Sequence, residues 1–157
     1  MRDPAVAGPV QPHEEAAFEA WALLLRAHAT LSGGLDAALR EQAAMTLGAY
    51  DLLAHVASAP ERRIRMHDLE RKVLFSQSTV SRLASRLERE GLLERVVAED
   101  DRRALVVRLT GAGARAFRDA RAVAAGYLRE HVVAAMTPSQ ATTLRDTLRL
   151  LHPDPPG

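Results

Sequence analysis

The stretch Phe75 to Thr110, FSQSTVSRLASRLEREGLLERVVAEDDRRALVVRLT, decides how this chain reads. Ser76 is a good helix N-cap, because its hydroxyl can accept a bond from an otherwise orphaned amide, and neither Gly nor Pro follows until Gly91. Val80, Leu83, Ala84 and Leu87 recur at i, i+3, i+4 and i+7, which predicts a helix with one buried face. The opposite face carries Gln77, Ser78, Ser81, Arg82, Ser85, Arg86 and Arg89, with no acid before Glu88. Guanidinium groups suit phosphates, and amides and hydroxyls suit base edges. Gly91 is a natural residue to end the helix in a left-handed turn. Leu93 to Val97 then reads as a strand, Glu99-Asp100-Asp101-Arg102-Arg103 as a polar loop, and Ala104 to Leu109 as a second strand.

A helix of this kind followed by a charged-tip hairpin is a winged helix-turn-helix, whose helix fits a major groove while the hairpin reaches flanking backbone or minor groove. Asp101-x-Arg103-x5-Leu109-Thr110-x2-Gly113 resembles the wing signature of the MarR-type (multiple-antibiotic-resistance regulator) transcription factors. Arg65-Met66-His67-Asp68-Leu69, Ser78-Thr79-Val80-Ser81-Arg82, Arg86-Leu87-Glu88 and Gly91-Leu92-Leu93-Glu94-Arg95 carry the same resemblance. It covers residues 13 to 151 in layout, with its specific motifs between Leu47 and Gly113. The resemblance implies a dimer in which the terminal helices of two subunits interlock, each subunit contributing one winged lobe. It also implies that aromatic acids or other anionic phenols bind between the dimer helices and the lobe, and that Asp101 and Arg103 pair to shape the wing tip.

The whole chain bounds the rest. Its 157 residues suit one domain with a moderate core. No apolar run reaches the roughly 18 residues that a membrane span needs, and the N-terminus has no apolar stretch of the signal-peptide kind, so a cytoplasmic protein with no membrane partner is expected. The absence of cysteine excludes disulfides, thiol redox sensing and thiolate-bound zinc. Net charge is only +1, but it is unevenly spread: −5 over residues 1–61, +4 over 62–108 and +2 over 109–157. The positive charge thus coincides with the predicted winged segment.

In chain order, residues 1–12 hold three prolines and read as a mobile tail. A long helix begins at His13, with Phe18, Trp21, Leu25, His28, Ser32, Leu35 and Leu39 as a heptad-like seam that Gly33-Gly34 interrupts, a site for a kink or break. Thr46 caps the next helix, Leu47 to Ser58, whose expected core face is Leu47, Tyr50, Leu53 and Ala54. Glu61 to Arg65 is a candidate third strand, and Met66 to Val73 a short helix with Leu69 and Val73 inward. Thr110 caps a helix expected to run from Gly111 to about Ala135, striped by Phe117, Ala120, Ala124, Tyr127, Leu128, His131 and Val132. Thr137-Pro138-Ser139-Gln140 is a capping box opening a last helix with Leu144, Leu148 and Leu151. The expected architecture is mainly α with a small β-wing: a helical dimerisation region over 13–45 and 111–151, a winged helix-turn-helix over 46–110, and a tail over 152–157.

The chemistry points to binding. There is no nucleophile elbow, no phosphate-cradling glycine loop and no HExxH, so no enzyme and no cofactor are expected. His28, His55, His67 and His131 show no i, i+3 or i+4 pairing of the kind that holds a metal on a helix, and no metal site is assigned. The expected partners are double-stranded DNA, a second copy of the chain, and a small aromatic or anionic effector. The DNA-binding candidates are Gln77, Ser78, Thr79, Ser81, Arg82, Arg86, Arg102 and Arg103, with Arg82 reading bases. Arg86 either meets phosphate or pairs with Glu90 one turn on. Alternation along the hairpin puts Arg102 opposite Asp101 and Arg103, towards DNA. Trp21, His28, Tyr50 and His55 are the candidate effector pocket; packing is the alternative for each. The function expected is a sequence-specific transcriptional regulator, a ligand-released repressor acting as a homodimer on a pseudo-palindrome. The competing reading is a winged protein-interaction module that does not bind DNA.

Overall fold

The computed structural model describes residues 11–73, 75–97 and 104–152. The order is α1 (Pro12–Ala43), α2 (Leu47–Ser58), a 3-10 turn (Pro60–Arg62), β1 (Arg63–Arg65), α3 (Met66–Lys72), α4 (Gln77–Arg89), β2 (Leu93–Val97), β3 (Leu105–Leu109), α5 (Gly111–Leu128) and α6 (Pro138–Leu151). The chain divides into two compact units, residues 1–34 and residues 35–157. The helical assignment of α1 continues through Gly33 and Gly34. In the first unit the apolar seam faces outward: Phe18, Trp21 and Leu25 are all more than half exposed.

The second unit holds the core. Leu39, Leu52, Leu53, Leu69, Leu87 and Leu93, with Val56, Val80 and Val107, are shut off from solvent. The three strands form one antiparallel sheet in the order β1-β3-β2, with Ile64 opposite Val107 and Glu94 opposite Arg108. The third strand expected near Glu61 is the three-residue β1, in which only the middle residue points inward. Its alternation follows from the pleat.

Helix starts are set by side-chain caps. Thr46, Ser76, Thr110 and Thr137 each accept a bond from the backbone amide three residues on, and Thr137 and Gln140 close the expected box. The end of α4 is a Schellman turn: Gly91 stands at φ +73°, its amide bonds to Glu88, and the Leu92 amide bonds to Leu87.

Two expectations are corrected. The core face of α2 is Ala49, Leu52, Leu53 and Val56, not Leu47, Tyr50, Leu53 and Ala54. This helix lies against α3, α4, α5 and the sheet, so the buried arc is rotated, and Leu47 and Tyr50 fall at its edge, half-buried. The α-helix after the wing ends at Leu128 rather than near Ala135, and Arg129–Val133 continue as a π-helical turn. Tyr127 and His131 pack across this junction with ring centroids 4.2 Å apart and ring planes tilted by 53°. Neither Gly nor Pro marks the change from Arg129 to Val133. Of the expected stripe, Ala120 and Ala124 are buried, while Leu128 and His131 are exposed. No residue of α6 is buried.

Candidate nucleic-acid interface

The site is built on the N-terminal half of α4. Burial of Val80, Ala84 and Leu87 fixes the rotation of the helix, and so leaves Gln77, Ser78, Ser81 and Arg82 exposed. The Ser76 hydroxyl lies 2.9 Å from the Thr79 hydroxyl and 3.2 Å from that of Ser78, so the first turn is a small hydroxyl cluster around the cap. Arg82 lies back along this turn: its Nε donates to the Ser78 carbonyl at 3.2 Å and one terminal nitrogen reaches the Thr79 hydroxyl at 3.5 Å. These bonds leave other guanidinium donors free, and five donors in a planar fork suit bidentate recognition of guanine. Thr79 itself is only half-exposed and faces the cap.

Arg86 is turned differently. One terminal nitrogen donates to the Thr46 hydroxyl at 3.4 Å, and its Nε lies 3.4 Å from a Glu90 carboxylate oxygen. The ion pair with Glu90 is therefore present. Arg86 sits half-buried in a cleft whose lining includes Arg40, Met45 and Leu92, apart from the exposed end of the helix.

A residue that sequence reasoning did not assign to the site braces it. Arg95, on β2, donates to the Ser81 carbonyl at 3.2 Å and to the Ser85 hydroxyl at 2.7 Å, and lies 3.5 Å from Glu88. The signal was present: Arg95 is two residues from buried Leu93, so the pleat turns it to the same side as the core, where α4 lies. On the other side of the strand, Glu94 accepts from Arg108 at 2.9 Å across the sheet.

The wing-tip candidates Asp101, Arg102 and Arg103 lie outside the described residues. The effector candidates do not share one role. Trp21 and His28 are exposed on the part of α1 in the first unit. Tyr50 stacks on Phe117 with centroids 5.6 Å apart, and burial pushes its hydroxyl above the ordinary tyrosine range, with Arg121 opposing and Asp51 adding to the shift. His55 lies 3.8 Å from Asp51, one turn back on the same helix. Among the described residues no three His, Asp or Glu side chains gather as a metal site would require, and no helix is long and apolar enough to cross a membrane.

A buried three-helix scaffold, a capped and exposed cationic helix and an antiparallel hairpin behind it define a winged helix-turn-helix of the DNA-binding class. Residues 45–104 match the family model described as the MarR family. Sco3205, a MarR family transcriptional regulator from Streptomyces coelicolor solved in complex with DNA, is 26% identical, with a TM-score of 0.80 over 91% of this chain and 88% of that one. AbsC, a MarR family transcriptional regulator from the same organism, is also 26% identical, with a TM-score of 0.81 over 91% of this chain and 94% of that one. The organohalide-sensing regulator RdhR-CbdbA1625, solved in its 2,4-dichlorophenol-bound form, shares the fold at 18% identity, with a TM-score of 0.76 over 96% of this chain and 88% of that one. No curated protein matches the chain. Over residues 45–104 the chain is similar to the MarR family, and its fold is that of the MarR family transcriptional regulators it resembles.

Proposed function

We propose that this regulator is a homodimeric repressor that binds a pseudo-palindromic operator and is released by a small ligand. The observation that carries the DNA part is the exposed turn Gln77, Ser78, Ser81 and Arg82, capped by Ser76 and braced from behind by Arg95. Arg82 reads a base edge, Gln77 and the hydroxyls add polar contacts, and Arg102 and Arg103 of the wing reach the flanking backbone. Residues 46–110 form the DNA-binding region in this reading, and residues 13–45 with 111–151 the dimerisation region. The dimer accounts for apolar side chains left outward, among them Phe18 and Trp21 in the first unit and Leu150 and Leu151 in the second. A two-fold dimer presents two equal helices about one helical turn of DNA apart, roughly 34–36 Å, or a multiple of it. That a protein of this fold is solved with 2,4-dichlorophenol supports release by a small aromatic ligand.

The deciding experiment is fluorescence anisotropy with labelled DNA from immediately upstream of the gene, against random DNA of equal length, across a salt series. The expected result is tight, salt-dependent binding to a fragment holding an inverted repeat, and weaker binding to random DNA. Equal affinity for both, or none for either, would overturn the reading.

A further inference from the structure

Arg82 turns one edge of its guanidinium towards its own helix. Nε donates to the Ser78 carbonyl at 3.2 Å, and the terminal nitrogen on the same edge donates to the Thr79 hydroxyl at 3.5 Å. That edge is engaged, and the edge left open is the one formed by the two terminal nitrogens, a parallel pair of donors. The Thr79 hydroxyl is itself fixed. An arginine only donates, so Thr79 must accept from it. Among the described residues the acceptor for the Thr79 proton is the Ser76 hydroxyl, 2.9 Å away. Ser76 in turn is held as the cap of α4, where it accepts from the Thr79 amide at 3.4 Å. A chain of bonds thus ties the guanidinium, through Thr79, to the start of the helix. Thr79 stands half-buried beside the fully buried Val80, while Gln77, Ser78 and Ser81 are exposed.

A loose arginine samples many rotamers and can satisfy itself on whatever acceptor lies nearest, a phosphate oxygen above all. A fork held in place before docking loses less freedom on binding and fits fewer partners. We propose that Thr79 is a positioning residue for base recognition and not a DNA contact: its hydroxyl holds Arg82 so that the open edge presents one fixed pair of donors, which match the O6 and N7 acceptors of a guanine. The role differs from the one its place in the sequence suggests, that of one more hydroxyl meeting DNA. Without the Thr79 hydroxyl, Arg82 keeps its charge and its attraction to phosphate, so affinity for random DNA survives and discrimination between bases falls. The inference rests on the proposed function, in which Arg82 reads a base edge.

The test compares the full chain with Thr79→Val, which keeps the shape and removes the hydroxyl, and with Thr79→Ser, which keeps the hydroxyl. Each is made in the wild-type and Arg82→Ala backgrounds and titrated at one salt concentration against the operator fragment, its single-base variants and random DNA. Thr79→Val should lose about three- to tenfold in the ratio of operator to random affinity, with random affinity within about twofold of wild type. The loss should fall at the base position that Arg82→Ala also relaxes, and Thr79→Ser should recover most of it. In the Arg82→Ala background Thr79→Val should change nothing further. An equal loss in both backgrounds would make Thr79 a DNA contact of its own, and an unchanged ratio in the wild-type background would leave it no part in recognition; either overturns the proposal. A second measurement needs no DNA. Solvent exchange of the Arg82 Nε proton, followed by NMR, should be slower in wild type and Thr79→Ser than in Thr79→Val, and equal rates in all three would also overturn it. If wild type bound no DNA, the proposed function would fall, while the exchange rates would still decide whether Thr79 holds the guanidinium.

Discussion

The Asp36 carboxylate joins the end of α1 to the start of α2 by accepting the Leu47 amide at 2.7 Å. Its other oxygen takes the Arg40 Nε at 2.6 Å. The Leu47 amide is one of the donors that a helix start leaves unsatisfied, so the bond acts as a cap supplied from another helix. Arg40 first, and the Leu47 amide second, hold the Asp36 carboxyl below its ordinary range. A depressed folded-state value means that the stabilisation is complete above the unfolded value of about 3.9 and is lost as pH falls through the folded one. Asp36→Ala should cost about 1–2 kcal/mol near neutral pH. Urea melts of wild type and variant between neutral pH and pH about 3 should show the gap narrowing only in the acid part of that range. A gap independent of pH would rule out the ionised carboxylate as its source.

Arg82→Ala should weaken operator binding by about 1–3 kcal/mol and relax preference at one base position. Thermal stability should hardly change, since Arg82 is exposed and its bonds stay within one turn. Titration on the native operator and on single-base variants checks both statements. Affinity within about 0.3 kcal/mol of wild type would remove Arg82 from base reading.

Arg95→Ala should also weaken DNA binding, by a different route. It removes two hydrogen bonds and an ion pair that hold α4 against β2, and leaves every exposed side chain of the turn in place. The expected loss is about 1 kcal/mol in folding stability, with a comparable loss in operator affinity. Arg95→Lys should recover only part, because one guanidinium nitrogen bridges the Ser81 carbonyl and the Ser85 hydroxyl while another faces Glu88, and a single ammonium cannot hold all three. Full recovery by lysine would show that charge alone matters.

Gly113→Ala should be severely destabilising. A Cβ there would lie 1.9 Å from the Leu92 carbonyl oxygen and 3.1 Å from a Leu109 methyl. The obstruction is backbone, and the same carbonyl accepts the Thr110 amide at 3.2 Å, so it cannot swing aside cheaply. Overpacking typically costs about 1–3 kcal/mol, and this case should fall at or above the top of that range. A melting temperature equal to wild type would contradict the packing described.

Deleting residues 138–157 should abolish the proposed dimer. It removes Leu144, Leu150 and Leu151, all exposed, together with the rest of a helix that buries nothing within the chain. An obligate interface of about 2,000 Å² or more cannot spare such a face. Sedimentation of the truncated protein should show monomer or aggregate; a clean dimer that still binds DNA would place the interface elsewhere.

The parts that could be read in advance are those written in local chemistry. Ser76, Thr110 and Thr137 announce helix starts, and Gly91 announces an end, because cap and turn geometry depend on a few neighbouring residues. The face of α4 was legible because one apolar series fits it. Two overlapping series fit α2, and only its neighbours in space choose Ala49, Leu52 and Val56 over Leu47 and Ala54. Arg86 and Arg95 look alike on paper as strand or helix cations. Their partners Thr46 and Ser85 lie 40 and 10 residues away, so the tertiary fold assigns their roles. The reason for Gly113 is likewise tertiary: nothing near it in sequence says that a carbonyl passes within 2 Å of its missing side chain.

The Arg95 brace has a consequence for how an operator would be read. Were the helix and the hairpin tethered loosely, each would find its stretch of DNA alone, and base changes beneath the two would add. Here the strand that climbs into the wing is fastened to the middle of α4 at Ser81 and Ser85, so both elements turn as one lever. A base change that tilts the helix also lifts the hairpin, and the free-energy costs of changes under the two should be non-additive. Arg95→Ala should restore additivity, so that the operator is read as two words where the intact protein reads one.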